Sequence, residues 1–382
     1  MKLAIIRQKY NPFGGAERFV ERALNALNRP DLDITVLARA WPPQAGGANY
    51  RRQLLNPFYL GSTWRDWGFA HAATAAVAAG GFDLVQSHER IPCCDIYRAG
   101  DGLHRVWLKQ RRAARRAQGL SAWPSLNIYH RYILAAETAL FRSPRLKAVI
   151  CISRMVRREV LEYFGEHFKT SSHADSPDDC LPVIYNCVDT GFFHPGLKAA
   201  RQEARRRYAI PPEVPLFLFV GSGFERKGLA AAIRQLPAEA WLLVVGKDKR
   251  LPHYRQLAEC CGAAGRVCFA GPQQDLRPYY GAADALVFPT IYEPFGNVVL
   301  EALACGLPVV TTTACGGAEA IEAGVSGLVV DAFDEAALGQ AMFEMTDLSR
   351  VAAMGRQAVQ AAAAFSGELM AGRMIALYRR LL

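Results

Sequence analysis

The chain has 382 residues, 51% of them apolar and 21% charged, which is room for two domains with full cores and too apolar for a disordered chain. Its formal net charge of +10 points to an acidic partner: nucleic acid, anionic lipid or phosphorylated sugar. The opening MKLAIIRQKYNP has only LAII between charges, too short for a signal peptide, and AHAATAAVAAGG is too short and Ala-rich to cross a bilayer.

In chain order, the first half carries the apolar runs LAIIR, ITVLAR, DLVQSH, AVICIS and PVIYN. Such runs fit parallel strands buried on both faces, with crossover helices between them. NPFGGAERF follows the first run; Gly14 and Gly15 permit a tight turn, and the helix start behind them suits a phosphate. It is not GxGxxG, which disfavours a nicotinamide cofactor. His88 ends DLVQSH, and Asp101 lies in RAGDGLH; a His or Asp at a strand end either contacts substrate or is a hydrogen-bonded structural residue.

The segment HRVWLKQRRAARRAQGLSAW accounts for much of the positive charge. On a helix, Arg105, Lys109, Arg112 and Arg116 share one face, and Val106, Ala113, Ala117 and Leu120 another, with Trp107 and Trp123 flanking. This pattern suits an anionic membrane surface or phosphorylated core sugars, or is simply a solvated basic face. No nucleic-acid module is visible.

YNCVDTGFFHPG, Tyr185 to Gly196, reads as the joint between domains, followed by the basic helix KAARQEARRRYAI and by Pro211, Pro212 and Pro215. The second half repeats the strand pattern: LFLFVGS, WLLVVGK, VCFAG, ALVFPT, PVVTTT and GLVV. The expected organisation is therefore α/β, two doubly wound Rossmann-like domains (1–190 and 191–365) facing a cleft, where ligands bind beyond strand carboxyl ends. Residues 366–382 read as a last helix with Leu369, Ile375, Leu377 and Leu381 apolar.

VGSGFERKG places Arg226 and Lys227 in a glycine-bounded loop beside Gly221 and Gly223. An Arg forks onto phosphate oxygens and a Lys acts as a point charge, so the pair suits a departing diphosphate. EPFGNVVLEALACG places Glu293 in a loop and Glu301 about one turn inside a helix. Helix side chains lean toward the N-terminus, so Glu301 can accept hydrogen bonds from a ribose diol. Glu293 can hold sugar hydroxyls and favour positive charge at an anomeric carbon, and the N–H groups of Phe295, Gly296 and Asn297 add donors. The ten cysteines contain no C-x-x-C, which reads as small core residues in a reducing cytoplasm rather than a zinc site.

EPFGNVVLE resembles the E-x7-E motif of the retaining glycosyltransferases of family 4, which have the GT-B fold. GGAER, FERKG, the joint residues Asn186, Val188, Asp189, Phe193 and Pro195, and GLPVVTT resemble that family in its order. KYNPFGGAER and DIYRAGDGLHRVW further resemble its lipopolysaccharide core glucosyltransferases, although Glu17 and Phe19 depart from their pattern. The resemblance implies that Gly14 and Gly15 touch the donor diphosphate. Arg226 and Lys227 would stabilise the leaving nucleotide, Glu293 would contact the hexose and Glu301 the ribose. It implies a UDP-hexose donor, a saccharide acceptor such as the lipopolysaccharide core, same-face attack, and neither metal nor other cofactor. It also implies that the last helix packs back on the first domain. The chain is expected to be a cytoplasmic monomer on the anionic inner face of the plasma membrane, without a nucleic-acid partner. One rival reading is a glycosyltransferase acting on another polysaccharide or a lipid-linked sugar; the rival of another class is a nucleotide-sugar-binding protein without turnover.

Overall fold

The computed structural model describes residues 1–9, 24, 27, 29–41, 50–117, 119, 127–169 and 177–382. Two compact units divide the chain: Met1–Tyr185 with Gly367–Leu382, and Asn186–Ser366.

The first unit has a six-stranded sheet of β1 (Lys2–Ile6), β2 (Asp33–Ala38), β3 (Tyr50–Leu54), β4 (Leu84–Ser87), β5 (Ile96–Arg98) and β6 (Ala148–Ile150). The order is β3-β2-β1-β4-β5-β6 and every pairing is parallel. Leu3 faces Ile34 on one side and Leu84 on the other, and Leu3 to Ile6 are all buried, as a central strand covered on both faces requires. Two strands depart from the sequence expectation. β3, YRRQL, is almost wholly exposed at the sheet edge, so it carries no apolar pattern. β5 has only three residues. Conversely PVIYN, expected as a strand, contributes only an isolated bridge between Val183 and Cys151.

Helices α1 (Gly61–Gly80), α2 (His104–Ala117), α3 (Ile128–Phe141), α4 (Arg154–Lys169) and the short α5 (Pro177–Cys180) complete the described part of this unit with the C-terminal helix, Gly367–Leu381. Asn127 caps α3 by accepting the His130 N–H. The C-terminal helix buries Met370, Ala371, Met374, Ile375, Leu377 and Tyr378, a stripe at helical spacing. Leu369, expected on that stripe, is exposed instead, because it falls one position off the buried face.

The second unit holds β7 (Leu216–Val220), β8 (Trp241–Val245), β9 (Val267–Gly271), β10 (Ala285–Phe288), β11 (Val309–Thr312) and β12 (Gly327–Val330). Their order, β12-β11-β10-β7-β8-β9, is again all parallel. Its helices are α6 (Arg201–Arg206), α7 (Phe224–Lys227), α8 (Leu229–Arg234), α9 (Leu251–Cys260), α10 (Arg277–Ala282), α11 (Asn297–Ala304), α12 (Glu335–Glu344) and α13 (Leu348–Ala363). Phe217, Phe219, Leu242, Val244, Val287, Val310 and Met342 form its core. Buried Arg205 donates to Asp284 (2.7 Å) and to the carbonyls of Pro211, Pro212 and Val214, tying the run into β7 to the start of β10.

Counted within its own unit, each sheet has the strand order 3-2-1-4-5-6. The order reverses between β1 and β4 in the first unit and between β7 and β10 in the second. Loops leaving those neighbours cannot cross the sheet to the same side, so they part and leave a crevice.

Candidate active site

In the second unit the reversal point is occupied by charge. Arg226 and Lys227 lie in α7, after β7, and Glu293 lies in the loop after β10. One Glu293 oxygen accepts from Arg226 Nη1 at 2.8 Å and from Lys227 Nζ at 3.2 Å. Arg226 also donates to the Tyr292 carbonyl at 3.1 Å. The Arg226 carbonyl accepts from the Thr290 hydroxyl and the Ile291 N–H, both at 2.9 Å, which binds α7 to the β10 loop.

The Lys227 stem runs across Gly221, and its ammonium sits 4.6 Å from the centre of the Phe288 ring. A Cβ on Gly221 would lie 2.5 Å from Lys227 Cδ and Cε, and its φ of +138° also favours glycine. At Gly228, φ +76°, a Cβ would meet the Pro289 carbonyl at 1.9 Å. Burial pushes the Glu293 carboxyl up, but Arg226 and Lys227 outweigh burial and hold it below its ordinary value. Burial pulls the Lys227 ammonium down further than Glu293 lifts it. Two cations share one carboxylate, so the cluster keeps net positive charge for an anionic ligand.

The Glu293 loop is fixed by pairing with Gly316 and Gly317. The Glu293 carbonyl accepts from Gly316 N–H (2.8 Å) and the Phe295 carbonyl from Gly317 N–H (2.6 Å). The Phe295 ring is itself buried in the core rather than open to a ligand. Gly296, at φ +83°, turns the chain into α11. Glu301 is buried rather than open, with one oxygen accepting from the Tyr280 hydroxyl at 2.9 Å. Tyr280 packs edge-on against Phe193, with ring centres 5.4 Å apart, and Asn186 donates to Asn297 at the start of α11. The joint residues therefore support the α11 mouth. The Gly223 N–H donates to the Lys247 carbonyl at 3.2 Å, which closes the turn rather than leaving that donor open to a phosphate.

In the first unit, Gly14 and Gly15 lie outside the described residues. His88, just beyond β4, is buried. The Tyr378 hydroxyl of the C-terminal helix donates to Gln86 Oε1 (2.8 Å), and Gln86 Nε2 donates to His88 Nε2 (3.0 Å). This places the ring proton on Nδ1. Burial, with Arg98 and Arg7 nearby, drives the His88 pKa well below its usual value, so the ring is neutral. Asp101 is about half exposed and lies 3.8 Å from Arg7, which also pairs with Glu89 at 3.5 Å. Gln8 and Tyr129 both donate to Asp66. Tyr280, Tyr378, Gln86, Glu89 and Asp66 were not singled out from the sequence, because each meets its partner only through tertiary packing.

The basic segment is corrected in part. Arg105 turns inward: it donates to fully buried Glu137 (2.8 Å) and stacks on Phe164 at 4.5 Å. Lys109, Arg112 and Arg116 remain exposed. Val106, Leu108 and Ala114 are buried within the unit while Ala117 is exposed, so α2 has no free apolar face; Leu120 and Trp123 lie outside the described residues. All ten cysteines are free, and Cys260 and Cys261 are exposed rather than core residues, since they end α9 at the surface.

Two parallel sheets of one strand order, with charge gathered where that order reverses in the second, define a protein of the GT-B class. Residues 13–192 match the family described as Glycosyltransferase Family 4, and residues 214–347 match Glycosyl transferases group 1. The chain thus carries a family 4 glycosyltransferase domain in its first half and a group 1 glycosyltransferase domain in its second. It is 38% identical over 142 residues to the lipopolysaccharide core biosynthesis glycosyltransferase LpsE of Rhizobium meliloti, covering 36% of this chain and 41% of that protein. It is 24% identical over 367 residues to the lipopolysaccharide glucosyltransferase WaaG of Escherichia coli, covering 90% and 88%. Some matches thus span less than half of the relative's length. The crystal structure of WaaG superposes with a TM-score of 0.79 at 22% identity, covering 97% of this chain and 98% of that one. That of Anabaena HepE in complex with UDP-glucose does so at 0.71 and 19% identity, covering 98% of each.

Proposed function

We propose that this protein transfers a hexose, with retention, from a UDP-hexose to a saccharide acceptor of the lipopolysaccharide core. The observation that carries the reading is the Arg226–Glu293–Lys227 cluster at the β7/β10 reversal point. Similarity to LpsE and WaaG favours the core acceptor, and the HepE complex favours UDP-glucose as donor.

Arg226 and Lys227 meet the diphosphate and offset the charge that builds on it as the bond from the anomeric carbon to the phosphate oxygen breaks. Glu293, already ionised, favours positive charge developing on the sugar ring and keeps both cations oriented. The acceptor hydroxyl oxygen bonds to the same face of that carbon, and its proton passes to the departing phosphate oxygen. No protein base and no metal enters this scheme. Glu301, steadied by Tyr280, takes the ribose hydroxyls. In the first unit, neutral His88, with its Nδ1 proton, and Asp101 serve the reacting sugar and the acceptor, and Gly14 and Gly15 the diphosphate. The exposed cations Lys109, Arg112 and Arg116 act against an anionic cytoplasmic membrane surface, where a lipid-anchored acceptor would lie.

Mass spectrometry of a core acceptor incubated with several UDP-sugars tests the reading. Mass gain of one hexose from one of them, lost in Glu293→Ala and in Lys227→Ala at intact fold, is the expected result. Near wild-type transfer by both variants would remove the mechanism.

A further inference from the structure

Between β3 and the second turn of α1, six large apolar side chains stand open to solvent: Leu54, Phe58, Tyr59, Leu60, Trp64 and Trp67. Phe58 is 73% exposed and Leu60 68%. The segment is held in place. Buried Arg39, just beyond β2, donates to Asn56 Oδ1 at 2.8 Å and to the carbonyls of Pro57 and Arg65, each at 2.9 Å. The same guanidinium lies 4.6 Å from the centre of the Tyr59 ring. Phe58 meets Trp64 edge-on at 5.8 Å, and on α1 the exposed Trp64 and Trp67 are three residues apart, on one face. A buried cation with three acceptors thus fixes a loop that holds Phe58 and Leu60 out in solvent. An apolar surface of this extent marks a contact with something other than water.

The surroundings say what that is. On one side β3 exposes Arg51 and Arg52. On the other, α1 joins α3 where Tyr129 donates to Asp66 (3.1 Å), and α3 joins α2 through Glu137 and Arg105. Beyond that link stand the exposed Lys109, Arg112 and Arg116. The carboxylates within this surface are engaged: Asp33 pairs with Arg51, and Asp66 with Arg65, Gln8 and Tyr129. Among the described residues, cations thus precede and follow the aromatic stretch along the chain; Arg51 pairs with Asp33 and Lys109 with Glu162 at 3.7 Å, while Arg112 and Arg116 stand exposed. Trp and Tyr, with apolar bodies and polar tips, suit the level of lipid headgroups, and flanking arginines suit anionic ones. No described helix is long and apolar enough to cross a membrane, so such contact would lie in the interface.

We propose that Phe58, Leu60, Trp64 and Trp67 form the apolar half of an anionic-bilayer docking face on the first unit, with Arg51, Arg52 and the α2 cations as its charged half. This rests on the surface-acting reading above and relocates its apolar part. The sequence suggested that α2 would supply both halves; its apolar residues are buried, and the β3–α1 segment supplies what α2 lacks.

The test is sedimentation of the full chain with phosphatidylglycerol/phosphatidylcholine vesicles and with pure phosphatidylcholine vesicles. The wild type should partition onto the anionic vesicles. The triple variant Phe58→Ser/Leu60→Ser/Trp67→Ser should lose about tenfold or more of that partitioning, with transfer to a soluble acceptor unchanged. Lys109→Ala/Arg112→Ala/Arg116→Ala should lose binding at low salt, with the deficit shrinking as salt rises. Quenching of tryptophan emission by lipids with brominated acyl chains should fall in Trp64→Phe/Trp67→Phe. Wild-type partitioning and quenching in the aromatic variants would overturn the docking face and leave the cationic reading standing. Absence of wild-type binding to either vesicle would overturn both, without touching glycosyl transfer. A dimer that the aromatic variant dissociates, with vesicle binding unchanged, would assign the face to a second copy and overturn the lipid proposal.

Discussion

The two sheets share one strand order, yet the charged groups just past their reversal points are arranged differently. In the second unit two cations converge on one carboxylate. In the first, among the described residues, Arg7 faces Glu89 and Asp101, with Asp66 close by through Gln8. Strand order alone fixes where a ligand can sit; the residues just past the strands fix which ligand suits the place. A net cationic crevice suits a diphosphate, and carboxylates suit the hydroxyls of a sugar. On the proposed function, one topology used twice divides the transfer reaction between donor and acceptor.

The largest effect should come from breaking the cationic side. Lys227→Ala should lower kcat/KM for donor turnover by about 10²–10³-fold, measured with purified UDP-hexose and acceptor. Gly221→Ala should approach the same loss without removing any charge, because the methyl group would occupy the path of the Lys227 stem. A normal rate in that variant would show that the lysine's position is not critical.

Next in size is the support of Glu301. Tyr280→Phe leaves a buried carboxylate oxygen without its donor, worth about 1–3 kcal/mol. The expected result is a rise in donor KM of roughly tenfold with a smaller change in kcat. A loss confined to kcat would count against a ribose role for Glu301.

On the first unit, Tyr378→Phe should free the Gln86 amide and let the His88 ring change tautomer, seen by nitrogen NMR of the imidazole. A few-fold loss of kcat is expected. The smallest effect is on stability against pH. Burial lowers His88 well below 6.5 and His104 to about 4. A histidine depressed in the folded state binds its proton more readily when unfolded. Its contribution is thus fully present above pH 6.5 and is lost as pH falls toward 4. The Tm should decline across that window, and His104→Gln should flatten the decline.

Much of this was legible in the chain. All six strands of the second unit are apolar runs, and Arg226 and Lys227, in the short α7, and Glu293, in a loop, follow two of them behind glycine- and proline-marked turns. What escaped notice has physical causes. β3 is an exposed edge, so its sequence is polar. Tyr280 reaches Glu301 from 21 residues away, and Tyr378 reaches Gln86 from 292, distances over which no periodicity speaks. Arg105 looked like its neighbours on a basic helix until buried Glu137, on another helix, claimed it.

The most direct measurement is proton NMR of the product formed from UDP-glucose and a core acceptor by the wild type and by Glu293→Gln. The wild type should give a product with the anomeric configuration of the donor. The variant should still bind UDP while transferring at least about a hundredfold more slowly. An inverted product, or equal rates from the two proteins, would contradict the role given to the Arg226–Glu293–Lys227 cluster.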